Sequence, residues 1–242
     1  VAKIRQNLPE PLADTKGAIW LNNALGSGVL KDVLFTTRFT LSGDDALPIT
    51  KLSANLENVK LTMNSKWAPI TGLNAHVTFT NDHIKITGKD AKLDTLDLSY
   101  INIDASNLGS PDAQLVIHGR VKSSSEEIVD FMRRSPVSDR IKSFLDQFKL
   151  KGDIGGNVVI VVPFSEQGEK KKSVEFDLFV NDNKLTLFEE KISIEKFTSK
   201  ISYHDNTFKT DGKGVIGGVP FELLINPDKW IDTDDSSFKV AM

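Results

Sequence analysis

The sequence predicts a mainly β protein, an antiparallel sheet with a short helical segment at about 124–148. Apolar residues alternate with polar ones over most of the chain, which is the spacing of a strand with one buried and one exposed face. A single stretch breaks this alternation. It begins with Ser124 three residues before Glu127, the spacing of a helical capping box.

The strands follow one another along the chain and are separated by turn residues. Val33 and Phe35 begin an alternating run that ends in a Ser-Gly-Asp-Asp turn at 42–45. The next run changes the parity of its apolar residues at 57–58, which predicts a bulge or a tight turn. Residues 73–88 predict a hairpin with an Asn-Asp turn. The same alternation predicts strands at 96–105, 113–121, 154–164, 174–180, 184–188, 192–203, 206–216 and 219–226.

The helical segment has two parts. Ile128, Phe131 and Met132 fall on one face of the helix that the capping box begins. Proline at 136 interrupts it, because a residue that precedes proline avoids helical backbone angles. A second helix is predicted at about 138–148, where an apolar stripe is formed by Ile141, Phe144, Leu145 and Phe148.

Two hairpins of the chain are related by a shift of 124 positions without a gap. The aligned pairs are Leu73 with Phe197, Val77 with Ile201, Phe79 with Tyr203, and Ile84 with Phe208. Two unrelated alternating hairpins can look alike, so a chance likeness stays open beside a true repeat. The repeat favours two β-rich units, 1–121 and 150–242, joined by a helical connector at 122–149.

Composition and motifs argue against several kinds of function. The chain has no Cys, which excludes disulfides, thiolate metal sites and cysteine nucleophiles. Its formal net charge of −3 argues against a nucleic-acid partner. None of the 4 His has a partner at metal-ligand spacing, and the sequence has neither a nucleophile elbow nor a phosphate-binding loop. We therefore expect no enzymatic activity, no metal and no cofactor.

Phenylalanine dominates the aromatic residues, with 14 Phe against 2 Tyr and 3 Trp. Phe carries no polar group, so these rings belong either in an ordinary core or on a fully apolar surface such as a groove. Both interpretations fit the composition.

Several short motifs resemble one known family. Reading from the N-terminus, they are AIWLNNAL at 18–25, WAPITGL at 67–73, FMRRSPV at 131–137, LKGD at 150–153, VPF at 162–164 and GGVPFEL at 217–223. They span about 18–225 in the family's order. With the amphipathic helix between the third and fourth motifs, they resemble the YhdP branch of the AsmA-like proteins.

This resemblance implies both a fold and a function. AsmA-like proteins are long, are anchored in the inner membrane of Gram-negative bacteria and extend through the periplasm, similar in plan to bridge-like lipid-transfer proteins. The chain would then be a periplasmic fragment of a longer protein, with the anchor and any export signal outside it. Its sheet would be elongated and curved into a trough that carries phospholipid acyl chains toward the outer membrane. An outer-membrane partner is compatible with this plan.

Ten apolar residues of shared strand parity are the candidates for a lipid-binding face: Leu73, Val77, Phe79, Ile84, Ile86, Phe176, Leu178, Ile201, Tyr203 and Phe208. Two other functions stay open. The β units could be closed sandwiches that serve as spacers or docking surfaces, because a sandwich also has an apolar inner face. A carbohydrate-active all-β protein is the third candidate, although Trp and Tyr are scarce.

Overall fold

Strands dominate the protein, which confirms the predicted fold class. The structure is a computed structural model of the 242-residue chain. It describes residues 16–38, 49–63, 67–80, 83–108, 110, 112–135, 142, 145–146, 148–163, 173–187, 191–205, 207–225 and 239–241.

Among the described residues, two short helices accompany the strands. They are α1 (Lys16–Ala24) and α2 (Ser125–Arg134). The strands are β1 (Val29–Arg38), β2 (Ile49–Leu61), β3 (Ile70–Thr80), β4 (His83–Lys89), β5 (Ala91–Leu93), β6 (Leu96–Ser106), β7 (Gln114–Ser124), β8 (Phe148–Lys151), β9 (Asp153–Pro163), β10 (Ser173–Leu187), β11 (Ile192–His204), β12 (Thr207–Ile216), β13 (Val219–Ile225) and β14 (Lys239–Ala241).

The strands form one antiparallel sheet. Its order is β1-β2-β3-β4-β6-β7-β9-β10-β11-β12-β13-β14, with β5 beside β3 and β6, and β8 beside β10. The chain divides into two compact units, Val1–Gly119 with Ile160–Ser173, and Arg120–Val159 with Val174–Met242. The domain boundaries expected from the sequence and the expected curvature of the sheet stay predictions.

The parity change at 57–58 is a β-bulge. Leu56 pairs with Ala75, and the next pair is Val59 with Leu73, so β2 holds one residue more than β3 at this point. Asn58 has a φ of 48°, in the left-handed region that Asn tolerates better than most residues. Its N–H donates to the side-chain oxygen of Asn74 at 3.0 Å. The bulge alternative of the sequence prediction is therefore confirmed.

The register of the strands confirms the internal repeat. Both units contain three neighbouring strands in the same register, β2-β3-β4 and β10-β11-β12, related by the shift of 124 positions. In the first unit Leu52 pairs with Phe79 and Phe79 with Ile84, and in the second Phe176 pairs with Tyr203 and Tyr203 with Phe208. The bulge recurs as well, because Asp182 has a φ of 57° at the position that matches Asn58. Two unrelated hairpins would not share a third strand and a bulge.

The helix α2 begins and ends where the sequence predicts. The Ser124 side chain accepts a hydrogen bond from the Glu127 N–H, and the Glu127 carboxylate accepts one from the Ser124 N–H. Ser135 is extended, with φ −78° and ψ 158°, directly before the proline. The apolar face of the helix is buried, at Ile128, Phe131 and Met132.

The second predicted helix, at 138–148, lies mostly outside the described residues. Lys142 and Leu145 are helical, and the Asp146 N–H donates to the Lys142 carbonyl at 3.2 Å. Among the described residues, no helix combines the length and the hydropathy that a bilayer crossing requires.

The sequence pattern does not predict α1. Two consecutive Asn residues lower its helix propensity. Leu21 and Ala24 are each only 2% exposed, so packing against the rest of the unit stabilises this helix.

Candidate functional site

In the first unit, the five candidate residues lie on one face of β3 and β4. Val77 pairs with Ile86 and Phe79 with Ile84, and Leu73 has the same parity along β3. Directly paired residues of antiparallel strands point to the same side of the sheet. The structure therefore brings these five side chains together.

Residues of the two flanking strands extend this face. In β2, Leu52 and Ala54 pair with Phe79 and Val77. In β6, Ile103 and Ala105 pair with Ile86 and Ile84. Alternation marks these four residues as apolar in the sequence, but only the strand register shows that they belong to the candidate face.

The candidate face of the first unit is closed in this conformation. Leu73, Ile84 and Ile86 are 0% exposed, and Val77 and Phe79 are 1% exposed. Side chains without accessible surface cannot touch a ligand. A hydrocarbon ligand could contact them only if this face opens.

In the second unit, the other five candidates also share one face. Phe176 pairs with Tyr203 and Tyr203 with Phe208, while Leu178 pairs with Ile201. The rings of Phe176 and Tyr203 are stacked, with centroids 5.5 Å apart and planes 22° apart. Ile201 and Phe208 are partly exposed, and the other three are buried. This face is therefore less completely covered than that of the first unit.

A pair of hydroxyl groups interrupts the apolar face of the second unit. Ser199 Oγ and Thr210 Oγ1 lie 2.7 Å apart, and Ser199 Oγ also donates to the Asp211 carbonyl at 2.9 Å. The matching positions of the first unit hold Ala75 and Ile86. Because the two hydroxyls satisfy each other, they are tolerated on a mainly apolar face. The sequence interpretation did not include them in the site.

The opposite face of β10 and β11 carries a cluster of polar side chains. Ser202 Oγ donates to Asp177 Oδ1 at 2.6 Å, and Lys200 Nζ lies 3.1 Å from the same oxygen. His204 lies between two carboxylates, with Nδ1 3.2 Å from Glu175 Oε2 and Nε2 3.3 Å from Asp177 Oδ2. These partners connect the two strands on their solvent-facing side.

The electrostatics of this polar cluster favour ion pairing over catalysis. The hydrogen bond from Ser202, with help from Lys200 and His204, lowers the pKa of Asp177 to about 2. Partial burial lowers the pKa of His204, but the hydrogen bonds to Glu175 and Asp177 outweigh it and raise that pKa overall. Ser202 donates to the Asp177 carboxylate and not to the imidazole, and a carboxylate with so low a pKa is a weak general base.

The polar cluster predicts a pH-dependent difference in stability between wild type and His204→Gln. The raised pKa of His204 stabilises the fold below 6.5, and this contribution disappears as pH rises through the folded-state pKa. The lowered pKa of Asp177 stabilises it above 3.8, and this contribution disappears as pH falls toward about 2. The difference in stability between wild type and His204→Gln should therefore be greatest between pH 3.8 and pH 6.5. It should stay at or below about 1 kcal/mol, because the side chains are partly exposed and screened.

Denaturant unfolding at several pH values measures this difference. His118→Gln is the control, because His118 is an exposed histidine on β7. Its substitution should change the free energy of unfolding little, as is usual for an exposed side chain. A His204→Gln effect of constant size across the pH range would contradict the ion pairing.

A known protein family matches this chain. The family model described as YhdP protein matches residues 1–232, nearly the whole sequence. No curated protein and no solved structure matches it. The matched range contains all ten residues of the two candidate faces and all six of the short motifs. The chain therefore belongs to the YhdP family of AsmA-like proteins.

Proposed function

We propose that this chain is a periplasmic segment of an inner-membrane-anchored protein that conducts phospholipid between the two membranes of the envelope. The YhdP family is a lipid-transport family associated with the cell envelope. The observation that supports the finer proposal is the one-sided apolar face of each unit. The ten candidate residues, five on each face, would contact acyl chains, while the polar side chains of the same strands face water.

The mechanism would be shielding and not bond chemistry. Burying one CH₂ group contributes about 0.8 kcal/mol, so moving two whole acyl chains through water without shielding is prohibitively unfavourable. Neighbouring strands lie about 4.8 Å apart, so the paired apolar side chains of β10, β11 and β12 offer hydrocarbon contact on three neighbouring strands. An acyl chain could pass from strand to strand without exposure to water. No nucleophile, metal or cofactor is needed for this function.

The second unit is the better place for first contact with lipid. Ile201 and Phe208 are partly exposed there, whereas the matching Val77 and Ile84 have almost no accessible surface. Lipid contact with the first unit would follow only after its face opens. The proposal therefore predicts that changes at the second face affect lipid binding most directly.

Phe208→Asp should abolish most phospholipid binding, whereas Lys209→Asp should not. The two residues are neighbours on β12 and point to opposite sides of the sheet. A carboxylate beside hydrocarbon is unfavourable by several kcal/mol, while the same group on the solvent side meets water. We expect phospholipid co-purified from a bacterial host to fall about tenfold or more for Phe208→Asp.

Extraction of the purified variants followed by mass spectrometry measures this change. Circular dichroism of both variants shows whether they are folded, and Ile201→Ser provides a milder change on the same face. Equal phospholipid content in wild type, Phe208→Asp and Lys209→Asp would contradict the proposed lipid-binding face.

A second candidate function has an observation of its own. The first unit buries its candidate residues as completely as a closed core does, with exposures of 0–1%. A spacer or docking module built from such cores would carry no phospholipid in the same extraction. The wild-type measurement therefore distinguishes the two functions.

A further inference from the structure

We propose that the hydroxyl groups of Ser199 and Thr210 form a subsite that accepts a hydrogen bond from a hydroxylated acyl chain. This subsite rests on the proposed function, because it lies on the apolar face of the second unit that would bind lipid. It adds a chemical selectivity that contact with hydrocarbon alone does not provide.

The hydroxyl pair is buried within this apolar face. Ser199 is 5% exposed and Thr210 is 6% exposed. Val180 pairs with Ser199, and Ile201 pairs with Thr210, so both apolar side chains point to the same side of the sheet as the hydroxyls. A ligand that reaches the two oxygens therefore also contacts apolar side chains.

The fold does not require the two hydroxyls. The first unit has the same three-strand register with Ala75 and Ile86 at the matching positions. Ser199 pairs with Gly212 just as Ala75 pairs with Gly88, so the local strand pairing is the same in both units. Polar residues that break the apolar pattern without a need of the fold are typical of functional positions. Two such residues in contact with each other indicate a polar subsite.

The hydrogen bonds of the pair decide what a ligand has to supply. Ser199 Oγ donates its proton to backbone, with the Asp211 carbonyl at 2.9 Å and the Lys200 carbonyl at 3.1 Å. The two hydroxyl oxygens are 2.7 Å apart, so the proton between them belongs to Thr210. A hydroxyl oxygen also carries two lone pairs that accept hydrogen bonds. The pair can therefore accept a further hydrogen bond, while both of its protons are already donated.

The group that fits this subsite is a neutral donor. A phosphate or an ester carbonyl offers acceptors only, and an ammonium group would place a charge beside hydrocarbon, which is strongly unfavourable. A hydroxyl group on an acyl chain is neutral and has a proton to donate. The hydrocarbon on either side of it would contact the apolar residues of the same face.

The subsite lies beside the partly exposed residues of the face. Ile201 and Phe208 are the partly exposed candidates. Ile201 pairs with Thr210, and Phe208 precedes Thr210 by two positions on the same side of β12. An acyl chain that contacts these two residues therefore lies next to the Thr210 hydroxyl.

Oleate and ricinoleate are the probes for this subsite, because they differ by one hydroxyl group in the middle of the chain. Titration calorimetry with the full chain gives the Kd of each acid. In the double variant Ser199→Ala with Thr210→Val, the ratio of the two Kd values should shift about tenfold in favour of oleate. The reason is that the buried hydroxyl of ricinoleate loses its acceptor, whereas oleate loses no hydrogen bond.

The double variant should stay folded, because it removes both hydroxyls together and substitutes apolar groups of similar shape. Circular dichroism checks this, and Thr210→Val alone is a milder variant that should shift the ratio in the same direction. Ser193→Ala is the matched control. Its hydroxyl lies on the same strand but donates to the exposed Glu195 carboxylate at 3.2 Å, so its removal should leave the ratio unchanged.

The titrations distinguish failure of the subsite from failure of the proposed function. If wild type binds neither acid, the apolar face does not bind hydrocarbon, and both proposals are wrong. If wild type binds both acids and the double variant keeps the wild-type ratio, only the hydroxyl subsite is wrong. An equal shift in Ser193→Ala would also overturn the subsite, because the effect would not come from the apolar face.

Discussion

Phe79→Asp is expected to unfold the first unit, at a cost of about 4 kcal/mol or more in the free energy of unfolding. Phe79 is 1% exposed, and it pairs with the buried Leu52 and Ile84 on either side. A carboxylate at this position would have no water and no cation in this conformation. Thr78→Asp is the matched control, because Thr78 is the partly exposed neighbour on the opposite face of β3. It should leave the melting temperature nearly unchanged.

The same experiment distinguishes a closed face from an open groove. Ile201→Asp should cost clearly less than Phe79→Asp, because the partly exposed side chain at 201 lets the carboxylate reach water. Thermal melting followed by circular dichroism measures all three variants. Phe79→Asp could instead melt like wild type, while the same change in the full-length protein impairs outer-membrane integrity in cells. The candidate face of the first unit would then be open to water and not closed as described above.

Gly156→Ala is expected to destabilise the second unit strongly, by about 3 kcal/mol. A methyl group at Gly156 would overlap the carbonyl oxygen of Asp177 and lie 2.8 Å from the Leu178 Cα, both backbone atoms of β10. Backbone cannot move aside as a side chain can, so β9 and β10 would have to separate locally. Because Leu178 is one of the candidate residues, the change would also disturb the apolar face.

The neighbouring glycine is the matched control. A methyl group at Gly155 would lie 3.6 Å from the Val121 carbonyl oxygen, which is an ordinary contact. Gly155→Ala should therefore change the midpoint of denaturant unfolding little, since glycine in a strand is itself slightly unfavourable. Equal midpoints for the two alanine variants would show that β9 and β10 do not approach as closely as described.

Local features could be predicted from the sequence because a few neighbouring residues determine them. The capping box at Ser124 and Glu127 satisfies the first backbone N–H groups of α2 wherever the helix packs. The bulge at Asn58 follows from a change in the parity of the apolar residues of β2. A strand with such a change keeps these residues on one face of the sheet only if it contains an extra residue. The repeat could be found in the sequence because the alternation of side chains along a hairpin depends on the register of its strands.

Long-range pairing decided what the sequence left open. Val33, Leu34 and Phe35 of β1 are 58%, 60% and 39% exposed, whereas Ile160 and Val162 of β9 are buried. β1 stands at the end of the strand order, whereas β9 lies between β7 and β10. The helix α1 likewise depends on burial of Leu21 and Ala24 and not on propensity.

The sequence by itself determined which side chains of one strand share a face, because strand geometry alternates sides at every residue whatever the strand packs against. It could not determine whether that face is covered. Val77 and Ile201 match in parity and in the repeat, yet one is 1% exposed and the other partly exposed. Accessible surface depends on atoms distant in the chain, so only the tertiary structure decided which of the two candidate faces is partly exposed.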